Sequence, residues 1–174
     1  HFLKIEFTEA EKYFYESSLI YKKLLGKEHL AYAKSLVNLG ILYSDLDKYE
    51  QAESLFLEVK EIYQKTIGTE HIKYAGNLNN LGLLYEKFGR YDLAEPNFVR
   101  AKAIVEKVLG KNHSFYAASL ISLASLYGKM GKYEQAEPLY LEAKRIDEET
   151  LGKENPNYAI TLINLGILYK NMGL

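Results

Sequence analysis

Apolar positions along this chain fall on pairs of helical stripes that recur with a fixed period. Within residues 71–112, Ala75, Leu78, Leu81, Gly82 and Tyr85 follow one another at spacings of three and four. They therefore share one face of a helix predicted over about 72–86. A second stripe, Tyr91, Ala94, Phe98, Ala101, Val105 and Val108, predicts a helix over about 91–108. Gly89 stands between the two as a C-terminal turn residue, and Leu109-Gly110-Lys111-Asn112 closes the second. Neither helix can bury its stripe alone, so the pair must pack as an antiparallel hairpin.

The same text recurs before and after this unit. His29, His71, His113 and Asn155 hold one register, each 42 residues from the last, and Tyr32, Tyr74, Tyr116 and Tyr158 hold another. Leu39, Leu81, Leu123 and Leu165 keep step, as do Tyr43, Tyr85, Tyr127 and Tyr169. A period of this size marks a stacked-repeat architecture. The expected fold is all-α, an α-α superhelix of about eight antiparallel helices in a single array over 1–174. Full repeats are expected at 29–70, 71–112 and 113–154. Residues 1–28 read as the second helix of a repeat, with Phe7, Ala10, Glu11 and Phe14 in the slots of Tyr49, Ala52, Glu53 and Phe56. Residues 155–174 read as a first helix, opened by Asn155-Pro156. Solenoids carry polar caps at their ends. With both ends inside a repeat and His1 in place of Met, a longer array is expected, or copies that cover each other's open faces end to end.

A HEAT or armadillo array has a similar period, but the small residues argue otherwise. Leu78, Leu81, Gly82, Tyr85, Ala94 and Phe98 form the tetratricopeptide repeat (TPR) pattern, which recurs as Leu36, Leu39, Gly40, Tyr43, Ala52 and Phe56. The third copy is Leu120, Leu123, Ala124, Tyr127, Ala136 and Tyr140. Glycine and alanine let two helix backbones approach, and the aromatic rings fill the surrounding space. Leu78-Asn79-Asn80-Leu81, Gly89-Arg90-Tyr91, Ala94-Glu95-Pro96 and Leu109-Gly110 together resemble the TPRs of kinesin light chains and their bacterial relatives. The resemblance covers nearly the whole chain. Pro96 and Pro138 are expected in the early turns of their helices with at most a slight bend.

Composition narrows the function. Net charge is −1, which gives no bulk attraction to nucleic acid or an acidic membrane. No apolar run is long enough for a membrane span. The absence of cysteine excludes disulfides and thiolate metal sites.

The repeated polar slots hold the residues with candidate chemistry. His29, His71 and His113 occupy equivalent positions, about 8–10 Å or more apart in stacked helices. A zinc ion needs nitrogens at about 2 Å. Local turn hydrogen bonds are the expected role, and Asn155 in the same slot agrees. Ser119, Ser122 and Ser125 lack a histidine or acid at triad-like spacing, and no phosphate-binding glycine loop is present. Glu53, Glu95 and Glu137 read as helix-start charges or local ion pairs. No catalytic residue, metal or cofactor is expected.

The resemblance implies that the first helix of each pair lines a concave groove. One groove slot then reads Asn38, Asn80, Ser122, Asn164. An asparagine offers both a donor and an acceptor to the backbone of an extended peptide. Lys34 with Asn38 and Asn80 looks like half of the two-carboxylate clamp of some TPR domains. The other half is missing, because its slots hold Ala118 and Ser122. Lys87, Lys129 and Lys170, with Arg90 nearby, favour an acidic ligand of the kind kinesin light chains take, and Asp45 and Glu86 offset part of that charge. The expected function is a non-catalytic scaffold that binds a protein or peptide segment, an acidic one among the candidates, in the groove. The alternatives are a self-assembling spacer or a regulatory arm of a larger signalling protein or enzyme.

Overall fold

The computed structural model describes residues 2–174, with side chains described from Glu9 onward. His1 and the side chain of Phe7 lie outside the described residues. Eight α-helices follow in order among the described residues: α1 (Phe2–Leu25), α2 (Leu30–Asp45), α3 (Tyr49–Thr66), α4 (Ile72–Lys87), α5 (Tyr91–Leu109), α6 (Ser114–Lys129), α7 (Tyr133–Leu151) and α8 (Pro156–Met172). The boundaries fall within a residue of those the stripes predict for 71–112. Helices α5 and α7 run without interruption through Pro96 and Pro138.

Contacts gather the chain into two units, residues 1–84 and 85–174. In the first, α2 packs against α1 and α3. Its core holds Leu36, Leu39, Ala52, Phe56 and Val59. In the second, α6 packs against α5 and α7, and α7 packs against α8. Ala124, Ala136, Tyr140, Leu165 and Leu168 form one cluster there.

The small residue at Gly40 makes room for an aromatic ring, as expected of the glycine slot. A Cβ at Gly40 would meet the Phe56 ring, at 2.7 Å from Cε1. The aromatic ring itself therefore occupies the notch. The turn inside each hairpin is a repeated device. The amide of Lys48 donates to the carbonyl of Tyr43 at 2.8 Å, and Lys132 donates to Tyr127 at 2.9 Å. This six-to-one bond needs a left-handed residue just before the donor. Gly131 supplies it at φ 72°, and Asp47 fills the same slot at φ 57°, the one non-glycine with positive φ among the described residues.

One buried polar pair departs from the repeat. Asp147 on α7 and Thr161 on α8 are almost fully buried, and the threonine hydroxyl donates to Asp147 Oδ2 at 2.9 Å. Val105 holds the equivalent position one repeat earlier. Burial pushes the Asp147 carboxyl above its ordinary value, and the bond from Thr161 only partly offsets it. An acid whose folded value is raised adds stability below its unfolded value and loses it as pH rises through the folded one. Asp147→Asn is therefore expected to raise stability at pH 7 by about 1 kcal/mol, or about 2–4 °C in melting temperature. The difference should shrink as melts are repeated toward pH 4. A variant less stable than the parent at pH 7 would refute this account.

Candidate functional site

The repeated histidines sit at helix starts. His29 and His113 are N-caps of α2 and α6 in extended conformation. Nδ1 of each accepts the amide of the residue two places on, Ala31 and Phe115, at 3.1 Å. His71 does the same with Lys73 at 3.0 Å, and Asn155 with Asn157 at 2.9 Å. The side chains satisfy backbone donors that the helix leaves unpaired, as expected. With Nδ1 accepting, the neutral ring carries its proton on Nε2. No group of three or more metal-binding side chains occurs among the described residues, and none of the described helices is long and apolar enough to cross a membrane.

The repeated glutamates do more than carry a helix-start charge. Tyr127 on α6 donates its hydroxyl to Glu95 Oε1 at 2.9 Å, across 32 positions of chain. Tyr169 donates to Glu137 at 2.8 Å across the same separation. In the first unit Tyr43 bonds Glu11, and Lys48 joins that carboxylate at 3.1 Å. The ammonium of Lys48 also lies over the Tyr43 ring, and Lys132 lies over that of Tyr127. Each stitch ties the first helix of one repeat to the second helix of the repeat before it. Burial and then the glutamate hold the Tyr43 and Tyr127 hydroxyls above their ordinary value, so they remain protonated donors. The tyrosine and glutamate series keep a constant offset along the sequence, and that offset is the signal that pairs them. Tyr32 is a variant of the device: it donates to Glu58 at 2.9 Å and is pushed up to about 12, chiefly by burial.

The predicted groove residues divide into those with uncommitted polar groups and those already engaged. Asn38, Asn80 and Asn164 are half-buried, and their side-chain amides make no hydrogen bond among the described residues. Ser122, in the same slot, differs, because its hydroxyl turns back to the Ala118 carbonyl of its own helix at 3.2 Å. Lys34 and Lys87 are exposed on α2 and α4. Lys129 is ion-paired to Glu86, whose side chain is only 4% exposed. Ser125 donates to the same carboxylate oxygen at 3.3 Å. The Lys129 charge is thus largely compensated from inside the protein.

Two pockets collect these residues, one in each unit. In the second unit Lys129 and Asn164 share a pocket of about 210 Å³ with Tyr140, Ile167, Leu168 and Asn171. In the first, Asn38 lines one of about 200 Å³ with Phe14, Ile41, Leu42 and Asp45. The two are the same cell of the repeat. Phe14 answers to Tyr140, Asn38 to Asn164, Ile41 to Ile167, Leu42 to Leu168 and Asp45 to Asn171. Lys34, Asn80, Lys87 and Ser122 lie outside both linings.

Solved structures of other proteins share this fold. None of the curated proteins compared matches the chain. BtubC from P. vanneervenii superposes with a TM-score of 0.81 at 22% identity, over 95% of this chain and 66% of that one. A kinesin-light-chain-type protein of Podosopora anserina with nearly identical TPR-like repeats also gives 0.81, at 25% identity over 98% of this chain and 81% of that one. A Rap protein complexed with competence and sporulation factor gives 0.67 at 21% identity, over 93% of this chain and 48% of that one. This chain thus spans just under two thirds of the BtubC chain and about half of the Rap chain. The tetratricopeptide repeat model matches residues 6–65, 45–107, 73–149 and 117–173, and the chain belongs to the tetratricopeptide repeat family.

Proposed function

We propose that the chain is a non-catalytic interaction module, a single array over 1–174 with the repeat limits given above, which holds an extended segment of a partner protein against its first helices. Tetratricopeptide repeats generally mediate protein–protein interaction and are generally non-catalytic. The observation that carries the reading is the set of asparagine amides without internal partners. Asn38 and Asn164 stand at equivalent pockets, and Asn80 holds the same slot on α4. A half-buried amide left unpaired is poised to take a peptide carbonyl and amide together, whatever side chains that peptide carries. Asparagine is also a mediocre helix former, so its use in three of four copies costs helix stability that binding would recover.

Asn38→Ala combined with Asn80→Ala is expected to weaken peptide binding about tenfold or more while the thermal melt stays within a few degrees of the parent. Isothermal calorimetry with a peptide selected on the parent protein measures this. Equal affinity for the double variant would remove the asparagines from the reading.

A further inference from the structure

We infer that the pocket between α6, α7 and α8 takes one bulky, uncharged side chain of a bound peptide, leucine or phenylalanine, and turns acidic side chains away. The inference rests on the groove reading above and specifies its ligand. Size comes first. At about 210 Å³ the pocket exceeds the cavity of about 150 Å³ that admits benzene. Buried Leu168 and Tyr140 give it an apolar floor, and exposed Ile167 extends that surface to the mouth. Asn164 and Asn171 supply amides for the main chain of whatever carries the anchor.

Charge decides between an apolar and an acidic anchor. Lys129 is the one charged side chain in the lining, and its ammonium is already paired with buried Glu86. An incoming carboxylate would lose its hydration, compete for an occupied cation and face the glutamate behind it. The equivalent pocket of the first unit has Asp45 where the second has Asn171, so it too lacks an attraction for acids. The two cells share an aromatic wall, an isoleucine, a leucine and an asparagine. What they have in common selects for apolar bulk beside a hydrogen-bonding backbone.

The test is selection from a random twelve-residue peptide display library on the whole chain, followed by affinity measurements on the enriched peptide. The expected result is leucine or phenylalanine at one fixed position with no excess of acidic residues. Gly128 on α6 also lines the pocket, so Gly128→Leu should lower affinity about tenfold or more by occupying it. A Cβ at Gly128 has room, its nearest neighbour being Leu168 Cδ1 at 3.9 Å, and a melt confirms the fold. Glu86→Gln provides a second arm, because it releases Lys129. It should raise affinity several-fold for the same peptide with aspartate at the anchor. Enrichment of acidic peptides by the parent, or a Gly128→Leu variant that binds as well as the parent, overturns this inference and leaves the groove reading standing. No enrichment of any peptide overturns both.

Discussion

Phe56→Ala is expected to lower the free energy of unfolding by about 3–5 kcal/mol, measured by chemical denaturation. The Phe56 side chain is 1% exposed, and its ring lies in the notch left by Gly40, close enough that Cε1, Cζ and Cδ1 would all crowd a Cβ there at 2.7–3.1 Å. Truncation removes the ring and leaves a void that two packed helices can close only in part. The stability of a repeat protein is roughly a sum of unit and nearest-neighbour terms, so loss of this contact removes much of the coupling between α2 and α3. A second substitution sharpens the test. Gly40→Ala alone should force the ring to shift, whereas Gly40→Ala added to Phe56→Ala should recover about 1 kcal/mol by refilling the notch and favouring the helix. The third repeat holds Ala124 and Tyr140 in these two slots, so a methyl is compatible with the fold once the ring position adjusts. A loss under about 1 kcal/mol for Phe56→Ala would show that the ring does not hold the hairpin together.

Lys129→Met is expected to destabilise the chain by about 1–3 kcal/mol, a melting-temperature drop of several degrees. The size follows from asymmetric exposure. An ion pair in solvent contributes about 0–1 kcal/mol, and breaking a fully buried one costs about 3–5 kcal/mol. Here the lysine is 52% exposed but the Glu86 side chain only 4%. Removing the lysine leaves a buried carboxylate with the Ser125 hydroxyl at 3.3 Å. Glu86→Gln combined with Lys129→Met should restore most of the loss, because the remaining amide carries no charge to strand. If the single and double variants melt at the same temperature, the pair does not govern stability. The pairing gives a specific partner to the offset expected from sequence, where Glu86 counts against the basic groove residues: its carboxylate pairs with Lys129.

What the chain alone determined was everything that depends on its period. The two helices per repeat, their limits, the turn glycines, the capping histidines and the asparagine slot follow from residues recurring in register. A periodic signal averages over copies, and local backbone chemistry enforces it in each copy. The expected helices over 72–86 and 91–108 therefore match α4 and α5 closely. What only the tertiary structure decided lies in pairs that join different slots, or that occur in one repeat alone. The Tyr127–Glu95 and Tyr169–Glu137 stitches link two repeating series whose contact depends on how successive hairpins stack. Glu86 with Lys129 and Asp147 with Thr161 arise where one repeat breaks the pattern of the others, so no period announces them. Ser122 belonged to the asparagine slot by register, and its shorter side chain reached its own helix backbone instead. Side-chain length set the outcome at Ser122, and how the helices pack set the burial of the single pairs Glu86 with Lys129 and Asp147 with Thr161.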